Sequence, residues 1–273
     1  MKRVIICADD FGLTESVNNA IERAYRDGIL QAASLMVAAP AADHAIAIAR
    51  ANSGLRVGLH LVVIEGPAML TQRELPSLVN AYGQFPSDQL ALGVKYFFNP
   101  SARRQLKLEI HAQFEAFART GLTLDHANAH KHMHLHPTVG AQMLRIGRDF
   151  GLKRTRLPAE PPGTMAQCGA RMTFGDRILY RWTRLLRHQA KRAGVETNDH
   201  CFGLAWSGHM TAPRVKDLLT RLPDGESEIY FHPAARQDST LRALMPGYEP
   251  EEELAALLDP EIAGLVRGVQ ARP

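Results

Sequence analysis

Arg3-Val4-Ile5-Ile6-Cys7-Ala8-Asp9-Asp10-Phe11-Gly12 is a short apolar run that ends in two adjacent acids. The run reads as a buried strand, and enzymes built of repeating strand–helix units keep their working residues at strand ends. Adjacent carboxylates repel one another, so the second ionises reluctantly unless a cation lies nearby. A helix N-cap is the plain alternative for the acids, because Thr14-Glu15-Ser16 opens a helix close by, but Asp9 and Asp10 come early for that role.

Outward from this stretch, apolar runs alternate with helical patterns. Ser16 to Arg26 carries Val17, Ala20, Ile21, Ala24 and Tyr25 at helical spacing and closes at Gly28. Strands are predicted at Ala33–Val37, Arg56–Leu61, Leu122–His126, Lys153–Leu157 and Glu228–Phe231. Helices are predicted through Ala45–Ala49, over Gln105–Arg119, and from Pro137 to Gly151. Residues 64–102, with several prolines, read as a long loop. The alternation argues an α/β fold with a parallel sheet, open or closed as an irregular or incomplete (β/α) barrel. One domain over 1–273 is expected, with an inserted helical segment around 159–198 and a helical tail around 238–270.

The 45% apolar and 22% charged composition is that of an ordinary soluble globular chain, and 273 residues bury a substantial core without disulfides. Cys7, Cys168 and Cys201 are widely spaced and form no CxxC pattern, which favours a reducing compartment; Cys7 reads as a small buried hydrophobe. Charges follow the first apolar run too soon for a secretory signal, and no stretch reaches the ~20 apolar residues of a membrane span, so a cytoplasmic location is expected. A net charge of +4 with few aromatics among the basic residues argues against nucleic acid.

Four polar positions fall at or just after predicted strands: Asp9/Asp10, His60, the cluster His126, His130, His132, His134 and His136, and His232. In a parallel α/β sheet such ends converge on one face. Each has a bland reading alone, since a histidine between Leu59 and Leu61 is usually a core residue and His232 can cap its strand. If His130–His136 is extended, its alternate imidazoles share one face, which a solvated strand does not need. A loose surface metal-binding tract is the alternative. Mixed carboxylate and imidazole donors suit zinc, iron, cobalt or nickel. One ion cannot use all the histidines.

Ala8-Asp9-Asp10-Phe11-Gly12, Gly58-Leu59-His60-Leu61, His130–Pro137 and Phe231-His232-Pro233 together resemble the signature segments of the YdjC-like carbohydrate deacetylases, in order and spacing. Asn128–His132, Leu157–Pro162 and Ser207–Thr211 are similar to the subgroup associated with hopanoid biosynthesis. The resemblance implies a metal-dependent N-deacetylase acting on an N-acetylglucosamine-type sugar, there carried on a hopanoid lipid. By position it implies Asp10, His60 and His130 as ligands of a divalent ion, Zn2+ or Mg2+, with Asp9 as general base and His232 as general acid. It places His132, His134, Arg156 and His209 among substrate-binding or supporting residues and leaves His136 unassigned. It leaves room for a homodimer and for peripheral membrane association.

The stretch 176–193 bears on the last point. Ile178, Leu179, Trp182, Leu185, Leu186 and Ala193 form one helical stripe, interrupted by Gln189, while Arg177, Arg181, Arg184, Arg187, His188 and Lys191 lie on the other side, with Arg192 at the edge. Either the stripe packs on the core below a solvated basic face, or the helix lies in an anionic membrane interface. Rival readings of the whole chain are a chito-oligosaccharide deacetylase, a metal-dependent phosphoesterase or amidohydrolase, and a metal- or sugar-binding module without catalysis. The phosphoesterase class usually carries an early HxH pair, whereas acids come first here. A binding module has no use for a spare Asp9 or His232.

Overall fold

The computed structural model describes residues 2–271. In chain order the elements are β1 (Lys2–Phe11), α1 (Glu15–Asp27), β2 (Ala32–Leu35), α2 (Ala42–Ala51), β3 (Arg56–Leu61), α3 (Gln89–Phe98), α4 (Pro100–Arg119) and β4 (Ala127–Ala129). A 3-10 turn (His130–Leu135) leads into α5 (Pro137–Asp149), β5 (Arg154–Thr155), α6 (Pro162–Gln167), α7 (Phe174–Ala193), β6 (Glu196–Thr197) and β7 (His200–Phe202). The chain ends with α8 (Ala212–Thr220), β8 (Gly225–Phe231), α9 (Ser239–Leu244), α10 (Pro250–Leu258) and α11 (Pro260–Gln270).

The strands form one sheet of eight in the order β6-β5-β4-β3-β2-β1-β8-β7, with every pairing parallel. Both edges of this sheet belong to one extended segment, 196–202: its first residues pair with β5 and its last with β8. The sheet therefore curls almost into a ring, an incomplete α/β barrel. Where the ladder breaks, Asn198 stitches the seam. Its side chain accepts from Leu157 N at 2.7 Å and donates to Leu157 O at 2.8 Å. Cys201 N adds a bond to Ala159 O.

Outward-facing strand residues such as Ile6, Ala8, Val57 and Ile229 are buried under the helices. α1 packs there because Val17, Ala20, Ile21 and Ala24 recur on one stripe, and Thr14 caps it by accepting from Val17 N. Thr14, not the acid pair, is thus the cap. The inward-facing set is polar instead: Asp9, Ser34, His60, Asn128, Arg156 and Glu228 bond to one another across the interior. Gly58 makes room for this layer, since a Cβ there would lie 2.5 Å from His126 O.

Several expectations need correction. Residues 64–102 are not all loop, because α3 and the start of α4 fall within them, capped by Asp88 and Asn99. The fourth strand lies at 127–129, one step after the predicted run, although Asp125 N and His126 O already bond to β3. The histidine run is not extended: positive φ at Lys131 (50°) and His132 (52°) coils it into the 3-10 turn. The stripe of α7 does not pack as a whole on the core either. Thr183, Leu186 and Ala190 are buried, whereas Ile178, Leu179, Trp182 and Leu185 are exposed.

Candidate active site

In a regular strand Asp9 and Asp10 would point to opposite faces. Here the register between β1 and β2 slips after Ala8, and Asp10 takes a left-handed φ of 61°. That turn brings both carboxylates to the same imidazole. Asp9 Oδ1 is 3.9 Å from His60 Nδ1, and Asp10 Oδ1 is 3.3 Å from His60 Nε2. A strained φ at a non-glycine residue is retained where the surroundings over-determine it.

His130, the first residue after β4, places Nδ1 3.3 Å from the same Asp10 oxygen. Donor atoms of Asp10, His60 and His130 all lie within 4.8 Å of one another. Both carboxylate oxygens of Asp10 are buried without an aligned hydrogen-bond partner, despite the two imidazole nitrogens close by. Such atoms face a common centre rather than each other. One carboxylate and two imidazoles are a donor set that fits a divalent cation with positions left open for other ligands.

Asp9 is differently placed. Arg156, fully buried, donates to both of its oxygens, from Nη2 to Oδ1 at 2.8 Å and from Nη1 to Oδ2. The same guanidinium donates through Nε to Glu228 at 2.7 Å and lies 4.5 Å over the Tyr230 ring. Burial alone would raise the Asp9 pKa, but the Arg156 charge and then His60 hold it far below the ordinary carboxylate range. Arg156 keeps its proton because Asp9 and Glu228 outweigh its own burial.

Asn128 lies between His60, Ser34 and Asp9. With its oxygen toward His60 Nδ1, at 2.6 Å, it accepts from His60 and donates to Ser34 at 3.0 Å. Turned over, the amide donates to His60 and accepts from Arg156 and Ser34. The turned orientation satisfies the amide on both sides, and in either one Asn128 holds the His60 ring through Nδ1.

The remaining imidazoles separate. His132 is 2.9 Å from Tyr230 Oη, and burial lowers its pKa well below the histidine norm. His134 turns into the interior and donates from Nε2 to Arg156 O at 3.0 Å; burial and the Arg156 charge push its pKa down to about 3. His136 leaves the site altogether, its ring set against Tyr96 and Phe97. His126 lies deeper in the barrel, 3.0 Å from Ser34 Oγ and 2.9 Å from Asp125. Cys7 is buried as expected, but it faces this polar layer, and burial raises its thiol pKa.

His232, just past β8, sits between the rings of Tyr230 and Tyr248, and buried Glu253 accepts from its backbone N–H. Asp9, Asp10, His60, His130, His132 and His232 all line one cavity of about 890 Å³. His209 lies on its wall, half exposed beside Glu249 at 3.1 Å. Glu160 accepts from the backbone N–H groups of Gly203, Leu204 and Ala205, fixing the loop on another side. Asn128, Glu228, Ser34 and Tyr230 were missed by the sequence reading. For Glu228 and Tyr230 the signal existed, since Glu226, Glu228 and Tyr230 alternate along β8 in step with His232 just past it.

Comparison with known proteins places this geometry. A carbohydrate deacetylase of Geobacillus stearothermophilus is 32% identical over 270 residues, which cover 97% of this chain and 94% of that protein. A carbohydrate deacetylase of Thermoanaerobacter pseudethanolicus is 24% identical over 267 residues, or 98% and 95% of the two chains. The crystal structure of an Enterococcus faecalis V583 protein, provisionally named a cellobiose-phosphate cleavage protein, superposes with a TM-score of 0.76 at 22% identity, covering 98% of this chain and 95% of that one. That likeness bears on the fold alone. The profile of the YdjC-like proteins matches residues 3–267, and with the full-length 32% relative it shows that this chain belongs to the YdjC-like family.

Proposed function

We propose that the protein is a metal-dependent carbohydrate N-deacetylase that hydrolyses the acetamide of an N-acetylglucosamine-type sugar. The observation that carries this reading is the division of the acid pair. Asp10 faces a three-donor centre, while Asp9, one residue away, is held ionised by Arg156. In this reading Asp10, His60 and His130 hold a divalent ion, zinc or magnesium. When bound, that ion would lower the pKa of water and polarise the amide carbonyl.

The protein's own groups do the rest. Asp9 takes the proton of the attacking water, and Arg156 keeps the carboxylate charged and its oxygens in place. His232, lining the same cavity, protonates the nitrogen as the C–N bond breaks, giving acetate and a free amine. Tyr230, bonded to His132 and packed on His232, keeps the two imidazoles apart. His209 and His132 line the cavity as sugar contacts.

For the substrate we propose a lipid-linked sugar, of the hopanoid type implied by the sequence. Leu13, Met36, Val62, Phe85, Leu204 and Met245 line the cavity, and such apolar walls favour an amphiphilic ligand over a wholly polar oligosaccharide. No helix among the described residues is long and apolar enough to cross a membrane. We place the enzyme in the cytoplasm, peripheral to the inner face of the membrane.

The test is mass spectrometry of N-acetylated sugars incubated with protein loaded with zinc or magnesium. Loss of one acetyl group from lipid-linked N-acetylglucosamine in preference to chito-oligosaccharide is expected. Preference for the oligosaccharide overturns the lipid assignment, and no acetyl loss from either overturns the deacetylase reading.

A further inference from the structure

Two helices expose apolar stripes that the fold leaves without a partner. On α7 these are Phe174, Ile178, Trp182 and Leu185, spaced i, i+4, i+8 and i+11, with Phe174 78% and Ile178 50% exposed. On α3 they are Leu90, Val94, Phe97 and Phe98, with Leu90 79% and Phe98 71% exposed, while Leu92 and Tyr96 on the opposite face are buried. The two stripes adjoin the same corner of the molecule. Trp182 donates from Nε1 to Leu135 O at 2.9 Å, and the Phe97 ring lies 6.1 Å from the ring of the next residue, His136. Isolated exposed hydrophobes are ordinary, but a cluster on two neighbouring helices marks an interaction surface.

The charge beside the cluster decides what covers it. Arg177, Arg181, Arg184, His188 and Lys191 run along α7 immediately beside the apolar stripe and are exposed. Among the described residues none of these five forms an ion pair, and Asp176 is the one acid on the helix. An apolar strip edged by unpaired basic side chains is complementary to anionic headgroups over acyl chains. The surface is also continuous with the cavity, because Leu179 and Tyr180 of α7 line its wall and Gln89 at the start of α3 donates to Lys131 O at its mouth.

We propose that the α3–α7 face docks on an anionic bilayer, with the cavity mouth at the membrane surface so that an amphiphilic sugar enters from the lipid phase. Its purpose rests on the deacetylase reading, but the docking itself does not.

The test is co-sedimentation with sugar-free vesicles of phosphatidylglycerol and phosphatidylcholine at low salt, against vesicles of phosphatidylcholine alone. The protein should sediment with the anionic vesicles and be released by high salt. Ile178→Asp with Phe98→Asp should weaken binding by ~10-fold or more, and Arg181→Glu with Arg184→Glu should do likewise. Both pairs lie outside the cavity, so turnover of a water-soluble N-acetyl sugar should match wild type and circular dichroism should be unchanged. No sedimentation by the wild type, equal binding to neutral vesicles, or binding that survives both double variants overturns the proposal. So does a dimer in sedimentation velocity that Ile178→Asp with Phe98→Asp dissociates, since the face then belongs to a second copy. Should the apolar variant fail to fold, the charge reversal alone decides. Vesicle binding without acetyl loss separates failure of the enzymatic reading from failure of this one.

Discussion

Arg156 and Asp9 form a wholly buried two-pronged ion pair inside the barrel, and the third nitrogen of the same guanidinium is bound to Glu228. The residue just past β5 is the arginine, and β1 and β8 supply the acids, so one side chain ties three segments together beneath the site. Removing the arginine would strand two carboxylates in a low-dielectric interior. Arg156→Met should therefore cost about 3–5 kcal/mol of stability, measured by urea unfolding. A cost within that of a surface substitution would mean the pair does not hold the barrel.

Asp9→Asn keeps the shape but removes the proposed base and one acceptor of Arg156. Turnover should fall by about 100-fold or more. Metal content, read by elemental analysis, should be unchanged, because Asp9 bonds to Arg156 and not to the Asp10 centre. Lost metal with surviving turnover would reverse the roles of the two acids.

His60→Ala should lose the ion, whereas His136→Ala should retain it. His60 Nε2 lies 3.3 Å from Asp10, while the His136 ring packs on Tyr96 outside the site. Equal metal content in the two variants would count against the assigned donor set.

Gly58→Ala should destabilise the protein by about 1–3 kcal/mol, seen as a lower Tm, because its Cβ would lie 2.5 Å from His126 O and 2.6 Å from the His126 ring. Both neighbours are fixed by strand pairing and by Ser34.

Acid should weaken the fold through His134. The native imidazole has its pKa lowered from 6.5 to about 3 by burial and by Arg156, whereas the unfolded chain protonates it normally. Its contribution is then complete above the unfolded value of 6.5 and is lost as pH falls toward the native value of about 3. On the order of 4 kcal/mol is at stake across that window. Urea unfolding from pH 7 down to 4 should show a steeper loss for the wild type than for His134→Gln, and parallel curves would refute it.

The strand–helix alternation was legible in the chain because period and punctuation are local properties: Ile6 and Ala8 pack under helices, and Gly28 and Pro137 mark helix boundaries near where the periodicity stops. The sequence placed Asp10, His60 and the histidine run near the ends of parallel strands, but it was the resemblance to the YdjC-like proteins that picked out Asp10, His60 and His130 as a set. α3 was hidden because prolines around it masked a short amphipathic helix whose exposed face is itself apolar.

What the sequence by itself determined is the inventory: which side chains can bind, ionise or transfer a proton, and that parallel strands would gather them. Tertiary structure alone decided their arrangement. The slipped register and the left-handed turn at Asp10 put both acids on one imidazole. Arg156 and Glu228, 72 residues apart, then set which acid is held as an ion pair. The coil at Lys131 and His132 sent His130 and His136 in different directions. Each depends on backbone torsions or on contacts between distant strands, and neither is written in the periodicity of any one segment.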